Sequence, residues 1–176
     1  GLLKPLEIRD VVYHNGTTLN TIWSVGCPFK CTFCSNDVMI DIDKKYSTHR
    51  GPSPEYMVGE IKNVIKQGFP LDYVIFYDSN FLGRTVEELE EFARLFKKEL
   101  GLKFILSGTN PTEMKEEKVK PLVDAGLVRI KMGVESGSNH TLKLFKRPSR
   151  VHTLLRSTEV LNRYTGRSYL WSKKPR

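Results

Sequence analysis

Short runs of consecutive apolar residues alternate along this chain with longer stretches in which apolar residues recur every three or four positions. The runs "TLNTIWSVG" (18–26), "DYVIFYD" (72–78), "KFILSG" (103–108) and "LVRIKMGVESG" (127–137) predict four buried strands. Between the first two, Met57, Val58, Ile61, Val64 and Ile65 fall at helical spacing, with Pro54 suited to a first turn and Gly68 to a C-terminal cap. Thr85 and Glu88 form a capping box for "VEELEEFARLFKKELG", whose acids come early and lysines late, as the helix dipole favours. A helical segment then runs to Gly126, with Pro121 marking a break or the start of a new turn inside it. A short helix follows Asn139, and a longer one spans about Val151 to Tyr164 with Gly166 beyond it.

Four strand–helix units in succession imply an α/β fold with a parallel sheet. Four units do not close a barrel, which usually has eight, so the sheet is either open and doubly wound or part of a larger barrel. The last eight residues, "YLWSKKPR", read as a fifth strand cut off as it begins. The expectation is one partial domain over 1–176, with a leader at 1–16 and a basic helical segment at 143–176 running into that strand.

Composition narrows the class. Hydrophobic content of 39% and charged content of 27% are those of a globular domain. No apolar run approaches the roughly 20 residues needed to span a bilayer, and the first residues show no signal-peptide pattern. Three cysteines make poor material for a disulfide framework, so a cytoplasmic location without membrane contact is expected. The net charge of +8 is concentrated: from Lys143 to Arg176 ten Lys and Arg residues face one acid, Glu159. Such a tail is compatible with nucleic acid but is more often a solvated helix face.

All three cysteines lie in "GCPFKCTFCSN" (26–36), as Cys27, Cys31 and Cys34 with C-x3-C-x2-C spacing. Three thiolates this close can wrap an iron–sulfur cluster or zinc. A zinc site wants a fourth ligand, for which His49 and His14 are the candidates; simple buried thiols are the bland alternative. A 4Fe–4S cluster held by three cysteines keeps one iron open to another ligand.

The loop resembles the cluster motif of the radical S-adenosylmethionine (radical SAM) superfamily. That resemblance implies a partial (β/α) barrel, with about four of the usual six strand–helix units present here. It implies an enzyme core in which the open iron holds the amino and carboxylate groups of S-adenosylmethionine. An electron from the cluster then gives methionine and a 5′-deoxyadenosyl radical, which abstracts hydrogen from a substrate. By the same resemblance Phe33 lies beside the adenine, while Asp78, Ser79 and Asn80 stand where small and acidic residues meet the methionine amino group. "MGVESGS" (132–138) is similar to the Gly-x-Glu-Ser-Gly of the branch with cobalamin-dependent and coproporphyrinogen-oxidase-like members. Glu135 would then bind the ribose hydroxyls, with Ser136 beside it, and Arg147 would pair with the methionine carboxylate.

Plainer roles stand beside these: Phe33 as loop packing, Asp78 as a cap of the next turn, Ser136 and Ser138 as helix caps, Arg147 as a surface residue. Ser107, Thr109 and Asn110 end the third strand at the same mouth. The resemblance further implies a flavodoxin or ferredoxin as reductant. Cobalamin belongs to members with a vitamin-binding domain, which the residues ahead of the first strand are too few to form. A core cut short in this way is expected to bind a cluster yet hold the cosubstrate poorly. The competing functions are a non-catalytic iron–sulfur or zinc module, and an RNA-modifying methylthiotransferase-type member. The substrate is not legible.

Overall fold

The computed structural model describes residues 17–164; the leader, His14 and the fifth strand fall outside them. Strands β1 (Thr18–Thr21), β2 (Tyr73–Phe76), β3 (Lys103–Thr109) and β4 (Leu127–Met132) form one sheet in the order β1-β2-β3-β4. Every neighbouring pair is parallel, with Thr18 opposite Tyr73, Tyr73 opposite Lys103 and Phe104 opposite Leu127. The helices are α1 (Ser35–Ile42), α2 (Pro54–Lys66), α3 (Val86–Glu99), α4 (Glu116–Asp124), α5 (Asn139–Leu144) and α6 (Val151–Tyr164).

Alternation along the strands decides between the two architectures. Val74, Phe76, Phe104 and Leu106 point to one face, where they pack with Ile61 of α2, Phe92 and Phe96 of α3 and Leu122 of α4. Ile75 and Ile105 point to the other face, where with Tyr77, Ser107 and Lys131 they line a small cavity, and among the described residues no second helix layer covers it. A parallel sheet covered by helices on one side is a segment of barrel wall, not a doubly wound sheet. Trp23 anchors the core next to the site: its ring stacks on Phe92 at 4.5 Å and meets Phe81 at 5.3 Å.

Local signals explain most boundaries. Ser53 caps α2 by accepting from the Tyr56 amide, with Pro54 in the first turn, and the Thr85–Glu88 capping box opens α3. Four expectations need correction. Pro121 lies inside α4 without ending it; it leaves one carbonyl, that of exposed Glu117, without its usual donor. The first strand stops at Thr21, and shortly beyond it the Trp23 and Ser24 amides turn to the Asp78 side chain. The fourth stops at Met132, because Glu135 adopts φ 62, a left-handed conformation that a strand excludes. Helix α1, for which the sequence pattern predicted no element, starts directly after Cys34. Among the described residues no helix is long and apolar enough to cross a membrane.

Candidate functional site

The cysteine loop sits at the carboxyl end of β1 and is clamped from both sides. Gly26 adopts φ 95, and a Cβ there would lie 2.2 Å from the Thr48 carbonyl oxygen, so only glycine fits. Val25 and Arg50 exchange two backbone hydrogen bonds of 2.8 and 2.9 Å, and the Cys27 amide donates to the Tyr46 carbonyl at 2.9 Å. On the other side the Thr32 amide donates to the Phe145 carbonyl at 3.1 Å, and the Phe33 ring meets Phe145 edge-on at 5.3 Å. A turn between Cys31 and Cys34 then leads into α1, with Cys34 at its N-cap.

All three thiols are free; Cys27 and Cys31 are buried and Cys34 is half-buried. Burial pushes the Cys27 thiol up, the Phe29 amide opposes it, Cys31 and Cys34 push further up, and Arg147 pulls it down. The three thiols lie on one loop of eight residues, and thiolates are the donors an iron–sulfur cluster takes. Among the described residues no three His, Cys, Asp or Glu side chains are gathered as for a single metal ion. His49 is engaged elsewhere: its Nε2 lies 2.8 Å from the Ser24 hydroxyl and 2.9 Å from the Asn80 carbonyl.

Arg147 reaches the loop because of how α5 ends. The Lys146 amide donates to the Lys143 carbonyl and the Arg147 amide to the Leu142 carbonyl, the two bonds of a Schellman motif. Lys146 occupies the left-handed position, φ 51, usually held by glycine. The turn sends the Arg147 guanidinium inward, where Nη2 donates to the Gly133 carbonyl at 2.7 Å and Nη1 lies 3.5 Å from Cys31 Sγ. Its Nε is buried with no partner, a donor left over for an anion. Gly133 lies between the two charged candidates: a Cβ there would come 2.6 Å from Glu135 Oε1 and 3.3 Å from Arg147 Nη2. Arg147 therefore joins Cys31 to the end of β4 at the strand-end mouth, with the exposed Glu135 carboxylate on the other side of Gly133. Two non-glycine residues held at positive φ, Glu135 and Lys146, flank it, as strained backbone often does at functional sites.

The other candidates divide. Phe33 is half-exposed, its ring steeply inclined to that of Phe145. Ser79 is exposed at the end of β2. Asp78 beside it is buried, and its carboxylate accepts from the Trp23 amide at 3.1 Å, the Ser24 amide at 2.6 Å and the Ser24 hydroxyl. It faces the root of the cysteine loop rather than the mouth. Burial pushes its carboxyl up, against these hydrogen bonds. Ser136 accepts from the Ser138 amide, and Ser138 caps α5. Thr109 bonds the Lys131 carbonyl and Asn110 the Thr112 amide and hydroxyl, while Ser107 lines the cavity. Sequence reading missed Ser24 and Arg84. The signal for Arg84 is its place between the apolar pair Phe81–Leu82 and the Thr85 cap, where a charge has little water.

The model of the Radical SAM superfamily matches residues 21–170. Over 137 residues the chain is 26% identical to the anaerobic magnesium-protoporphyrin IX monomethyl ester cyclase of Rubrivivax gelatinosus, covering 77% of this chain and 23% of that protein. Its fold is similar to OxsB, a cobalamin-dependent S-adenosylmethionine radical enzyme, with TM-score 0.68 at 23% identity over 82% of this chain and 22% of that one. It is also similar to TsrM, a radical S-adenosylmethionine methyltransferase from Kitasatospora setae, with TM-score 0.65 at 15% identity over 85% and 29% of the two chains. The chain thus spans under a third of the length of each. With the match running from the end of β1 through the cysteine loop to beyond α6, the chain belongs to the Radical SAM superfamily.

Proposed function

We propose that this chain is the cluster- and cosubstrate-binding part of a radical SAM enzyme. Cys27, Cys31 and Cys34 would hold a 4Fe–4S cluster. Arg147 would receive the carboxylate of S-adenosylmethionine, Ser79 its amino group, Glu135 with Ser136 the ribose and Phe33 the adenine. When bound and reduced by a flavodoxin or ferredoxin, such a cluster supplies the electron that splits the sulfonium into methionine and a 5′-deoxyadenosyl radical. Hydrogen abstraction from an organic substrate is the expected outcome. The chain's own residues seat the thiolates, orient the carboxylate and shield the loop's buried side from water.

The observation that carries this reading is the Arg147 guanidinium, which touches Cys31 Sγ while its Nε stays buried without a partner. A surface arginine would have neither property. Three arginines of the basic segment are engaged within the fold: Arg147 and Arg150 donate to backbone carbonyls, and Arg163 pairs with Glu116, while Lys143, Lys146 and Arg156 are exposed. Cobalamin, present in the OxsB and TsrM structures, would be a second cofactor of the whole enzyme.

Anaerobic reconstitution with iron and sulfide tests the proposal. The expected product is brown, with about four irons per chain, and Cys31→Ala abolishes uptake. Adding S-adenosylmethionine to the reduced protein should change the electron paramagnetic resonance spectrum and release 5′-deoxyadenosine. One zinc per chain and no iron would overturn it.

A further inference from the structure

We propose that Asp78 is a positioning residue that fixes the root of the cysteine loop through Ser24 and His49. This deepens the reading of that loop as a cluster seat and rests on it. Three segments distant in sequence meet on one buried polar network. The Asp78 carboxylate, 3% exposed, takes the Trp23 and Ser24 amides, the last polar backbone contacts before Val25, Gly26 and Cys27. His49 holds Ser24 from the other side, and its neighbours Thr48 and Arg50 are the residues against which Gly26 and Val25 lie. Asn80, two residues beyond Asp78, returns its carbonyl to the same histidine.

The direction of the hydrogen bonds follows from what each group can do. The Asn80 carbonyl only accepts, and the Ser24 hydroxyl spends its hydrogen on Asp78, so His49 Nε2 carries the hydrogen and donates to both. The serine sits in the middle of this chain of bonds, so its hydroxyl points at the acid and not at the histidine. That arrangement does not activate a nucleophile; it locks three backbones together. Arg84 completes it. Its guanidinium lies 3.7 Å over the Trp23 ring, with Nη2 3.4 Å from the Trp23 carbonyl, and supplies a positive charge near Asp78.

Asp72 is a natural control. It takes the Thr17 amide at 2.7 Å, the same kind of clamp between the same two strands, at their opposite end. If Asp78 merely tied β1 to β2, losing either clamp would have similar consequences at the loop. If it positions the loop, only loss of Asp78 reaches Cys27.

The test uses the cluster-free chain first. Iodoacetamide labelling of Cys27, followed by mass spectrometry, is compared in the native chain, Asp78→Asn, His49→Gln, Asp72→Asn and the buried-core variant Ile61→Val. Local release of the loop should raise Cys27 labelling about tenfold or more in Asp78→Asn and His49→Gln, with the two controls within about twofold of native. After reconstitution, the same two variants should lose about 10–100-fold in iron affinity, as for outer groups that orient metal ligands. Cys27 labelling within twofold of native in both variants would overturn the proposal. Should Asp78→Asn fail to fold by circular dichroism, His49→Gln alone decides it. A native chain that takes up no iron would sink the cluster reading instead, and the labelling result would still decide the role of Asp78.

Discussion

Replacing Arg147 separates two jobs that one guanidinium performs. In Arg147→Gln, the bond from Nη2 to the Gly133 carbonyl, 2.7 Å long, is lost, and with it the tie between the end of β4 and the end of α5. A charge-assisted hydrogen bond contributes about 1.5–3 kcal/mol. Gly133 is half-buried, so water recovers part of the loss and the lower end applies. At about 2–4 °C per kcal/mol for a chain of this size, the melting temperature should fall by about 3–6 °C. The second job is binding: if the orphan Nε and its neighbours receive the cosubstrate carboxylate, losing them costs another 1.5–3 kcal/mol or so, about 10–150-fold in Kd for S-adenosylmethionine. Arg147→Lys keeps the charge but cannot reproduce the planar fork, so it should melt almost as early as the glutamine variant while binding better than it. The assay is equilibrium dialysis of labelled S-adenosylmethionine against reconstituted protein, with iron measured in each sample. Binding by Arg147→Gln within twofold of native, at equal iron content, would refute the assignment.

Other expectations follow from strained backbone and buried charge. Gly26→Ala forces a side chain into φ 95 and against the Thr48 carbonyl, so it should cost at least about 1–3 kcal/mol and lower iron uptake, measured by melting and iron analysis. Lys146→Gly relieves a left-handed residue within the Schellman motif; it should stabilise the chain by about 1 kcal/mol with unchanged iron content. His49 is held neutral in the fold, its proton affinity lowered first by burial and then by Arg84. The unfolded ring protonates near 6.5, the ordinary value for histidine, so stability from this group is full above that pH and is lost as pH falls through it towards the lower folded value. Urea midpoints of the cluster-free chain at pH 7.5 and 5.5 should therefore differ less in His49→Gln than in the native chain.

The framework was legible because it rests on local rules. Apolar runs marked the four strands, and Thr85 with Glu88 marked the start of α3 by chemistry that acts over three residues. The thiols were legible because cysteine is rare and their spacing is short. What escaped reading depends on contacts across some 55 positions. Asp78 looked like a residue open to a ligand, yet it faces Trp23 and Ser24, a pairing set only once β1 and β2 align. The end of β4 was misjudged because the strand was run on through "GVESG", where Val134 is the only large apolar residue and Glu135 adopts a left-handed conformation that its residue type does not announce. Helix α1 was missed for a different reason: its N-cap, Cys34, makes no capping hydrogen bond, which leaves Asp37 in the first turn as a weak start signal.

These contacts explain why the loop is held on both flanks rather than one. A parallel sheet brings the exits of all its strands to the same edge, so the first strand's loop has neighbours at the second and fourth exits without any long excursion of chain. The second exit supplies Asp78 and Asn80, which act on the loop's root through backbone amides and His49. The fourth supplies Gly133, whose carbonyl steers Arg147 onto Cys31, and the Phe145 carbonyl beyond it steers Thr32. One flank thus sets where the loop begins and the other sets what charge meets its thiols. Disturbing the first should move all three cysteines together, whereas disturbing the second should leave the cysteines in place and remove only their cation. The Asp78 and Arg147 variants therefore ought to be distinguishable by thiol labelling alone, before any iron is added.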